Sequence, residues 1–299
     1  MRNKYLGKAF EILTLFSAIA IISVILFMLF EILYNSWGTL NWNFLISPPD
    51  QGMTAGGIFP AIVGTTYLVL LMSLIGVPIG TITAIYLVEY ANSKSIFTKI
   101  IRFAVNTLAG VPSIVFGLFG LGFFIQFIGG GLDKVLYDNK ELVWGQPNLL
   151  WASFTMAFLT VPVVIVSVEE ALRSVPDDLR AASLALGVSK LRTIIKIVIP
   201  NAMSGIITGT ILAISRGAGE VAPILFTGAA YFLPKLPSSL SDQFMNLGYH
   251  IYIMSTQSTN VDETAGIQFA TVAVLLLLTS SLTGIGVYFR YKIRKRKLN

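Results

Sequence analysis

Long stretches without a charged residue alternate with short charged segments along this chain. The uncharged stretches are 19 residues between Glu11 and Glu31, 38 between Asp50 and Glu89, 30 between Arg102 and Asp133, 27 between Glu141 and Glu169, 19 between Lys196 and Arg216, and 26 between Glu263 and Arg290. A helix of about 20 apolar residues crosses a hydrocarbon core about 30 Å thick. The pattern therefore predicts six transmembrane helices, at residues 12–33, 58–87, 102–128, 149–168, 201–228 and 265–289.

The composition agrees with a membrane protein. Hydrophobic residues make up 55% of the 299 residues, charged residues only 12%, and the mean hydropathy is +0.76, which is outside the range of ordinary soluble domains. The chain has no cysteine, so disulfides and thiolate chemistry are excluded. The first uncharged run is longer than the apolar core of a signal peptide and no small-x-small cleavage site follows it, so we predict a retained helix.

The basic residues are concentrated on one side of the predicted helices. Of 21 Lys and Arg residues, 17 lie in the two tails and in the second and fourth loops, while Lys134, Lys140 and Lys235 lie in the alternate loops. Because Lys and Arg are retained on the cytoplasmic side of short loops, both termini are predicted to be cytoplasmic. The same rule explains the net charge of +6 without a nucleic-acid partner. The remaining basic residue is Arg216.

The fourth loop, residues 169–200, reads EEALRSVPDDLRAASLALGVSKLRTIIKIVIP. Pro176 suits the start of a short helix, and Gly187 suits its C-terminal cap. Ser189 can cap a second helix, which we expect to end at Pro200. The positions of Leu179, Ala182 and Leu186 give the first helix an apolar face. On pattern alone, an ordinary amphipathic connector explains this loop equally well.

The segment AASLALG, followed after nine residues by IVIP, resembles the cytoplasmic-loop signature of ABC importer permeases. Ala181 stands where that family usually has glutamate, and Ile199 stands where it has leucine. The resemblance implies that this loop is a pair of coupling helices that docks on an ATPase subunit. The residues it singles out are Leu179, Ala181, Ala182, Ser183, Leu186, Gly187 and Pro200.

Further motifs are similar to the A-type permeases of the Pst phosphate importers, from about residue 57 to the C-terminus. They are LAGVPSIVFGLFGLG at 108–122, GEVAPILFTG at 219–228 and FLPKLPSSLSDQFMNLGYHIYIMS at 232–255. The resemblance implies an all-α membrane protein with the type I ABC importer permease fold. The expected parts are a tail, helix and external loop at 1–56, a permease core at 57–289 and a basic cytoplasmic tail at 290–299.

The same resemblance implies partners and a location. We expect a C-type permease of the Pst system as a heterodimer partner, two copies of an ATPase subunit and an external phosphate-binding protein, all at a bacterial or archaeal plasma membrane. This chain contains no Walker-type sequence, so ATP and Mg are expected to be used by the ATPase subunit. We therefore expect no catalysis and no bound cofactor or metal in this chain.

Arg216 and Glu220 are the charged residues that the fifth predicted helix carries within its apolar sequence. An arginine within a transmembrane helix costs about 3 kcal/mol at the membrane centre, so such a residue usually faces a water-filled pathway. Spacing i to i+4 lets the two side chains share a face, and a guanidinium binds phosphate with two parallel hydrogen bonds. Ser215 and Thr208 are weaker pathway candidates. A structural ion pair that fastens this helix to a neighbour is the alternative.

The residues leave other functions open. Another oxyanion, such as sulfate or molybdate, suits the same site, and a stand-alone secondary transporter or channel is a different class. Carriers of that class usually have repeated halves, and the two halves of this chain do not match. A membrane enzyme lacks support, because the single histidine, His250, has no paired catalytic group.

We predict that His250 is a surface or interface residue, and that segment 229–264 carries an outer-surface helix for the binding protein.

Overall fold

The computed structural model describes residues 2–92, 94–138, 140–258 and 261–296. The last three residues of the predicted basic tail, 297–299, lie outside the described residues. Helices dominate, and one short antiparallel hairpin pairs β1 (Pro49–Asp50) with β2 (Ala55–Gly56). Six helical spans are long and apolar enough to cross a membrane: Phe10–Ser36, Phe59–Tyr90, Ser113–Tyr137, Leu149–Arg173, Lys190–Ala218 and Thr264–Ile293. The predicted number of spans is confirmed.

The described residues form twelve α-helices, together with five π-helical and 3-10 segments. The helices are α1 (Arg2–Ser36), α2 (Trp42–Ile46), α3 (Phe59–Ile85), α4 (Ile96–Ala109), α5 (Ser113–Phe119), α6 (Gly130–Tyr137), α7 (Leu149–Arg173), α8 (Asp177–Ala185), α9 (Lys190–Thr193), α10 (Ile199–Ala218), α11 (Leu247–Thr256) and α12 (Val261–Arg296). Three π-helical segments extend or join them, at Tyr86–Tyr90, Gly120–Gly129 and Ile194–Val198. Short 3-10 turns lie at Gln51–Met53 and Ala222–Leu225.

Helix α7 is the centre of the bundle. In its most apolar 18-residue stretch 61% of the residues are buried, against at most 33% in any other span. It packs between α3 and α10, and α12 lies against the far side of α10. Glycines allow the close approach, since a Cβ at Gly205 of α10 would lie 2.7 Å from the Cβ of Ala171. Gly205 and Gly209, two small residues four positions apart, therefore lie at the contact between α10 and α7.

The prediction of a continuous third helix over 102–128 is wrong. Helix α4 ends at Ala109, and α5 begins at Ser113 after a break at Gly110–Pro112. Proline lacks a backbone N–H and disfavours the helical conformation of the residue before it. Pro112 therefore stops one helix and starts another, and the third span runs over Ser113–Tyr137.

The fifth span also differs from its predicted bounds of 201–228. It runs over Lys190–Ala218 and passes through Pro200, which we expected to end a loop helix. The π-helical turn at Ile194–Val198 comes just before this proline, and such a turn accommodates the hydrogen bond that proline cannot donate. Pro200 consequently lies inside the fifth span rather than at the end of the coupling loop.

The segment after the fifth span packs one face of its helix against the bundle, while Tyr252 and Ser255 on that helix are exposed. The outer-surface helix expected for the binding protein stays a prediction. Its helix is limited to α11, and Leu247, His250, Ile253 and Met254 are all buried there. The prediction that His250 is a surface or interface residue is wrong, because its side chain is buried within this chain. Both of its ring nitrogens lack a hydrogen-bond partner within the described part of the chain, and burial lowers its pKa to about 4. The imidazole is therefore neutral at physiological pH.

Two ion pairs hold the loop-side ends of the helices together. The Arg180 guanidinium of α8 lies 2.9 Å from Glu89 and also donates to the carbonyls of Leu172 and Val175. Arg180 and Glu89 side chains are only 16% and 7% exposed. A similar pair joins Arg102 to Glu169 at 2.9 Å. The position of α8 thus depends on the ends of α3 and α7.

We expect Glu89→Ala to destabilise the protein by about 3 kcal/mol, because it removes the buried carboxylate and leaves the Arg180 guanidinium with only the exposed Asp177 carboxylate, 3.2 Å away. Equilibrium unfolding in mixed micelles measures this change. Asp178→Ala is the matched control on α8, since Asp178 is exposed and has no ion pair among the described residues, and it should cost about 0.5 kcal/mol. Equal losses in the two variants would contradict a structural role for the Glu89–Arg180 pair.

Candidate functional site

Arg216 and Glu220 line one cavity of about 220 Å³, which is partly open to the surface of this chain. The cavity is lined by residues 108, 109 and 111–113 of the α4–α5 connection, by residues 159, 160 and 163 of α7, and by residues 213, 216, 217 and 220 at the end of the fifth span. The break at Pro112 therefore builds one wall, and the central helix builds another. The two charged residues singled out from the sequence lie on the third wall.

Arg216 occupies the last turn of α10, and Glu220 lies just beyond the helix end. The helix stops at Ala218 with Gly219 as its cap, and the N–H of Glu220 donates to the carbonyl of Gly217. Our prediction placed both residues within one helix over 201–228, so the position of Glu220 is corrected. A cation at the C-terminal end of a helix is stabilised by the helix dipole.

The Arg216–Glu220 ion pair is loose. The Nε–Oε1 distance is 3.8 Å, and the Arg216 and Glu220 side chains are 73% and 26% exposed. Both residues belong to the same segment, so this pair does not fasten the fifth span to a neighbouring helix. Within the described residues the Arg216 guanidinium makes no hydrogen bond, and its donors remain available to a ligand in the cavity.

The start of α5 adds polar groups to the wall of this cavity that the α4–α5 connection forms. The sequence did not predict this contribution. The first N–H groups of a helix have no acceptor within that helix, and no side chain caps α5. Ser113, the first residue of α5, lines the cavity. The positive end of a helix favours an anion. The dipeptide Pro112–Ser113 is a typical helix start and was the signal that could have indicated this wall.

The two weaker pathway candidates lie away from this cavity. Ser215 accepts a hydrogen bond from Thr283 of α12 at 3.0 Å, so it contacts the neighbouring helix. Thr208 donates to the carbonyl of Ser204 in its own helix and lines a second cavity. The structure therefore brings Arg216 and Glu220 together but separates them from Ser215 and Thr208.

The predicted coupling segment forms a helix, a glycine turn and a second helix. Helix α8 begins after Pro176, and Gly187 has a φ of +77°, a left-handed conformation that glycine adopts without strain. Ser189 occupies the N-cap position of α9, without a side-chain hydrogen bond. The hydroxyls of Ser183 and Thr193 lie 2.9 Å apart and join the two helices.

The apolar face predicted for α8 is exposed. Leu179 is 41% exposed and Leu186 is 84% exposed, and Ala181 and Ala182 are also exposed, while Ser183 is buried. Exposed apolar side chains on a short helix indicate a surface that binds another protein. The polar contacts of Arg180 and Ser183 hold α8 from behind and leave this face free.

The cavity combines one guanidinium, one carboxylate and an uncapped helix start. The guanidinium and the helix N–H groups suit the oxygens of an anion, and a carboxylate accepts a hydrogen bond from a protonated anion oxygen. This set of groups fits a tetrahedral oxyanion that carries a proton.

Sequence comparison relates the chain to a family of membrane transport proteins. Residues 76–295 match the family model described as the binding-protein-dependent transport system inner membrane component. The phosphate transport system permease protein PstA 1 of Mycobacterium tuberculosis (strain ATCC 25618 / H37Rv) is 38% identical over 196 residues, which cover 66% of this chain. This alignment spans 57% of the length of that relative. The phosphate transport system permease protein PstA of Yersinia pestis is 39% identical over 197 residues, which cover 66% of this chain and 57% of the relative.

A further relative aligns over most of its length. The probable ABC transporter permease protein YqgI of Bacillus subtilis (strain 168) is 33% identical over 259 residues, which cover 82% of each chain. Among solved structures, a bacterial ABC transporter for import of the acidic polysaccharide alginate aligns with a TM-score of 0.65 at 14% identity, over 96% of this chain and 99% of that one. The inward-facing MetNI methionine ABC transporter aligns with a TM-score of 0.55 at 17% identity, over 79% and 94%.

These likenesses confirm the predicted architecture. The chain has the type I ABC importer permease fold, with six candidate membrane helices, and it is a multi-pass cell membrane protein. The matched region includes the coupling segment, the Arg216 cavity and most of α12. Because the family model covers well over half of the chain, this protein belongs to the family of binding-protein-dependent transport system inner membrane components.

Proposed function

We propose that this chain is the permease subunit of an ATP-driven importer of inorganic phosphate, in the role of the A-type subunit of the Pst system. The observation that carries the proposal is the cavity that holds the loosely paired Arg216 and Glu220 inside a multi-pass bundle of this family. Relatives named as phosphate permeases, at 38% and 39% identity, support the choice of anion.

The two charged groups have complementary roles in this proposal. Arg216 donates two parallel hydrogen bonds to phosphate oxygens, which a lysine cannot do. Glu220 neutralises the arginine while the cavity holds no anion, and it accepts a hydrogen bond from the protonated phosphate oxygen. Sulfate at neutral pH has no such proton, so Glu220 disfavours it by like-charge repulsion and by the missing donor.

We also propose the partners and the division of labour. Residues 57–289 form the permease core, and the exposed face of α8 within loop 169–200 docks on one of two ATPase subunits. ATP and Mg bind to those subunits, and this chain binds no cofactor and catalyses no reaction. A C-type permease completes the pathway, and an external phosphate-binding protein delivers the substrate.

Transport of labelled phosphate tests the proposal directly. We expect vesicles that contain this chain and its candidate partners to take up phosphate only with ATP on the ATPase side, and to retain this uptake with excess sulfate or molybdate. ATP-dependent uptake of another oxyanion would overturn phosphate as the substrate. Flux without ATP would overturn the importer assignment.

Arg216→Gln should lower phosphate uptake about a hundredfold, since two charge-assisted hydrogen bonds are worth about 3 kcal/mol together. Arg216→Lys keeps the charge but loses the planar fork, so it should also transport poorly. Arg173→Gln is the matched control, because Arg173 is exposed and lies outside the cavity. Co-purification of the partners checks assembly. Normal uptake by a fully assembled Arg216→Gln complex would exclude a pathway role for this residue.

Ala182→Asp should release the ATPase subunit from the membrane complex, because it places a charge on the exposed apolar face of α8. The same change at the neighbouring position, Ala181→Asp, is the control, since resembling permeases have an acidic residue there. The amount of ATPase that co-purifies with each variant is the measurement. Full retention by Ala182→Asp would locate the docking surface elsewhere.

A further inference from the structure

A second polar cavity, of about 480 Å³, lies between α7, α10 and α12. Its polar lining consists of Ser167, Glu170, Ser174, Ser204, Thr208 and Arg290. Arg290 is the first charged residue after the 26-residue uncharged run of the last span. The function proposed above does not use this residue.

The second cavity continues the first along one face of α7. Thr160 and Val163 line the Arg216 cavity, whereas Ser167, Glu170 and Ser174 line the second one. The intervals between these residues are three and four, which places all of them on the same face of a helix. Thr160 and Ser167 are seven residues apart, a rise of about 10 Å along the axis. The second cavity therefore lies nearer the coupling segment.

Both cavities contain the same kinds of groups. The first has Arg216, Glu220 and the Ser113 hydroxyl, and the second has Arg290, Glu170 and several hydroxyls. Arg290 and Glu170 are both exposed at the open side of the second cavity, and within the described residues neither forms an ion pair.

The hydroxyls of the second cavity differ in whether they are free to donate a hydrogen bond to a ligand. Ser167 and Thr208 donate to carbonyls of their own helices, at 2.8 Å and 2.7 Å. Ser204 makes no side-chain hydrogen bond among the described residues. Arg290 and Ser204 are therefore the groups free to donate to an anion, and Glu170 is the acceptor for a protonated anion oxygen.

A close contact between α7 and α10 separates the two cavities. Gly209 of α10 approaches Ser167 so closely that a Cβ at this position would overlap the Ser167 side chain. Val163 lies on the Arg216 side of this contact, and Ser167 lies on the other side.

We propose that the second cavity is an inner site for a protonated tetrahedral oxyanion, with Arg290 and Ser204 as donors and Glu170 as acceptor. This inference rests on the proposed function, because it makes the second cavity the stop that follows Arg216 on the way inward. Two sites of similar chemistry hold the anion in turn, so the charge is never left in the apolar bundle without partners.

The absence of native cysteines allows a test that does not depend on transport. Thr208→Cys puts a single thiol in this chain, inside the second cavity. The assembled complex in detergent is treated with a negatively charged thiosulfonate, and the mass of this chain measures the rate of modification. We expect inorganic phosphate at about ten times its dissociation constant to slow the reaction roughly tenfold, relative to chloride at equal ionic strength.

Paired variants identify the residue responsible. Arg290→Gln in the Thr208→Cys background should abolish protection by phosphate, whereas Lys292→Gln, an equal charge change just outside the cavity, should retain it. Equal rates in phosphate and chloride would overturn the inner site. Protection that survives Arg290→Gln would also overturn it and would leave Arg290 as a membrane-surface anchor.

A second thiol separates this inference from the proposed function. Ser113→Cys places the thiol in the Arg216 cavity, and phosphate should protect it as well. Protection at Ser113→Cys without protection at Thr208→Cys rejects the inner site and leaves the proposed function standing. Protection at Thr208→Cys in a complex that shows no ATP-dependent phosphate uptake rejects the proposed function and retains an inner anion site.

Discussion

The architecture depends on the close packing of α7 between α3 and α10. Lipid tails are as apolar as the helix surfaces, so helices in a membrane associate through close contact rather than through the hydrophobic effect. Glycines provide that contact: a Cβ at Gly80 of α3 would lie 2.7 Å from a Val164 methyl, and a Cβ at Gly217 of α10 would lie 2.9 Å from a Thr160 methyl. The Arg216 cavity lies beside the second of these contacts, since Thr160 and Gly217 both line it.

The few charges near the bundle fall into two groups that differ in geometry. The Arg180–Glu89 and Arg102–Glu169 pairs are 2.9 Å long, join residues 91 and 67 positions apart, and fasten separate elements. The Arg216–Glu220 pair is local, 3.8 Å long and faces a cavity. A tight pair between distant elements stabilises a fold, whereas a loose local pair leaves its donors available to a ligand. Geometry thus separates structural charges from candidate ligand-binding charges.

Helix α7 also connects the coupling surface with the cavities. It is one helix from Leu149 to Arg173, so its central residues line the cavities and its last turn precedes α8. Arg180 ties α8 to the carbonyl of Leu172 in α7 and to Glu89 after α3. Through these contacts α8 is joined directly to α7 and to the end of the span that contains α3.

The sequence alone determined the number of spans and the helix–turn–helix with its turn at Gly187, and it singled out Arg216 and Glu220 as candidate ligand-binding residues. These features depend on local hydropathy, on turn chemistry and on the cost of a charge in an apolar segment, all of which are readable along the chain. Only the tertiary structure decided that the third span begins at Ser113, that the fifth passes through Pro200, that His250 is buried, and that Arg290 shares a cavity with Glu170. Each of these depends on contacts between residues far apart in sequence, and an apolar residue that faces lipid has the same sequence pattern as one that faces another helix.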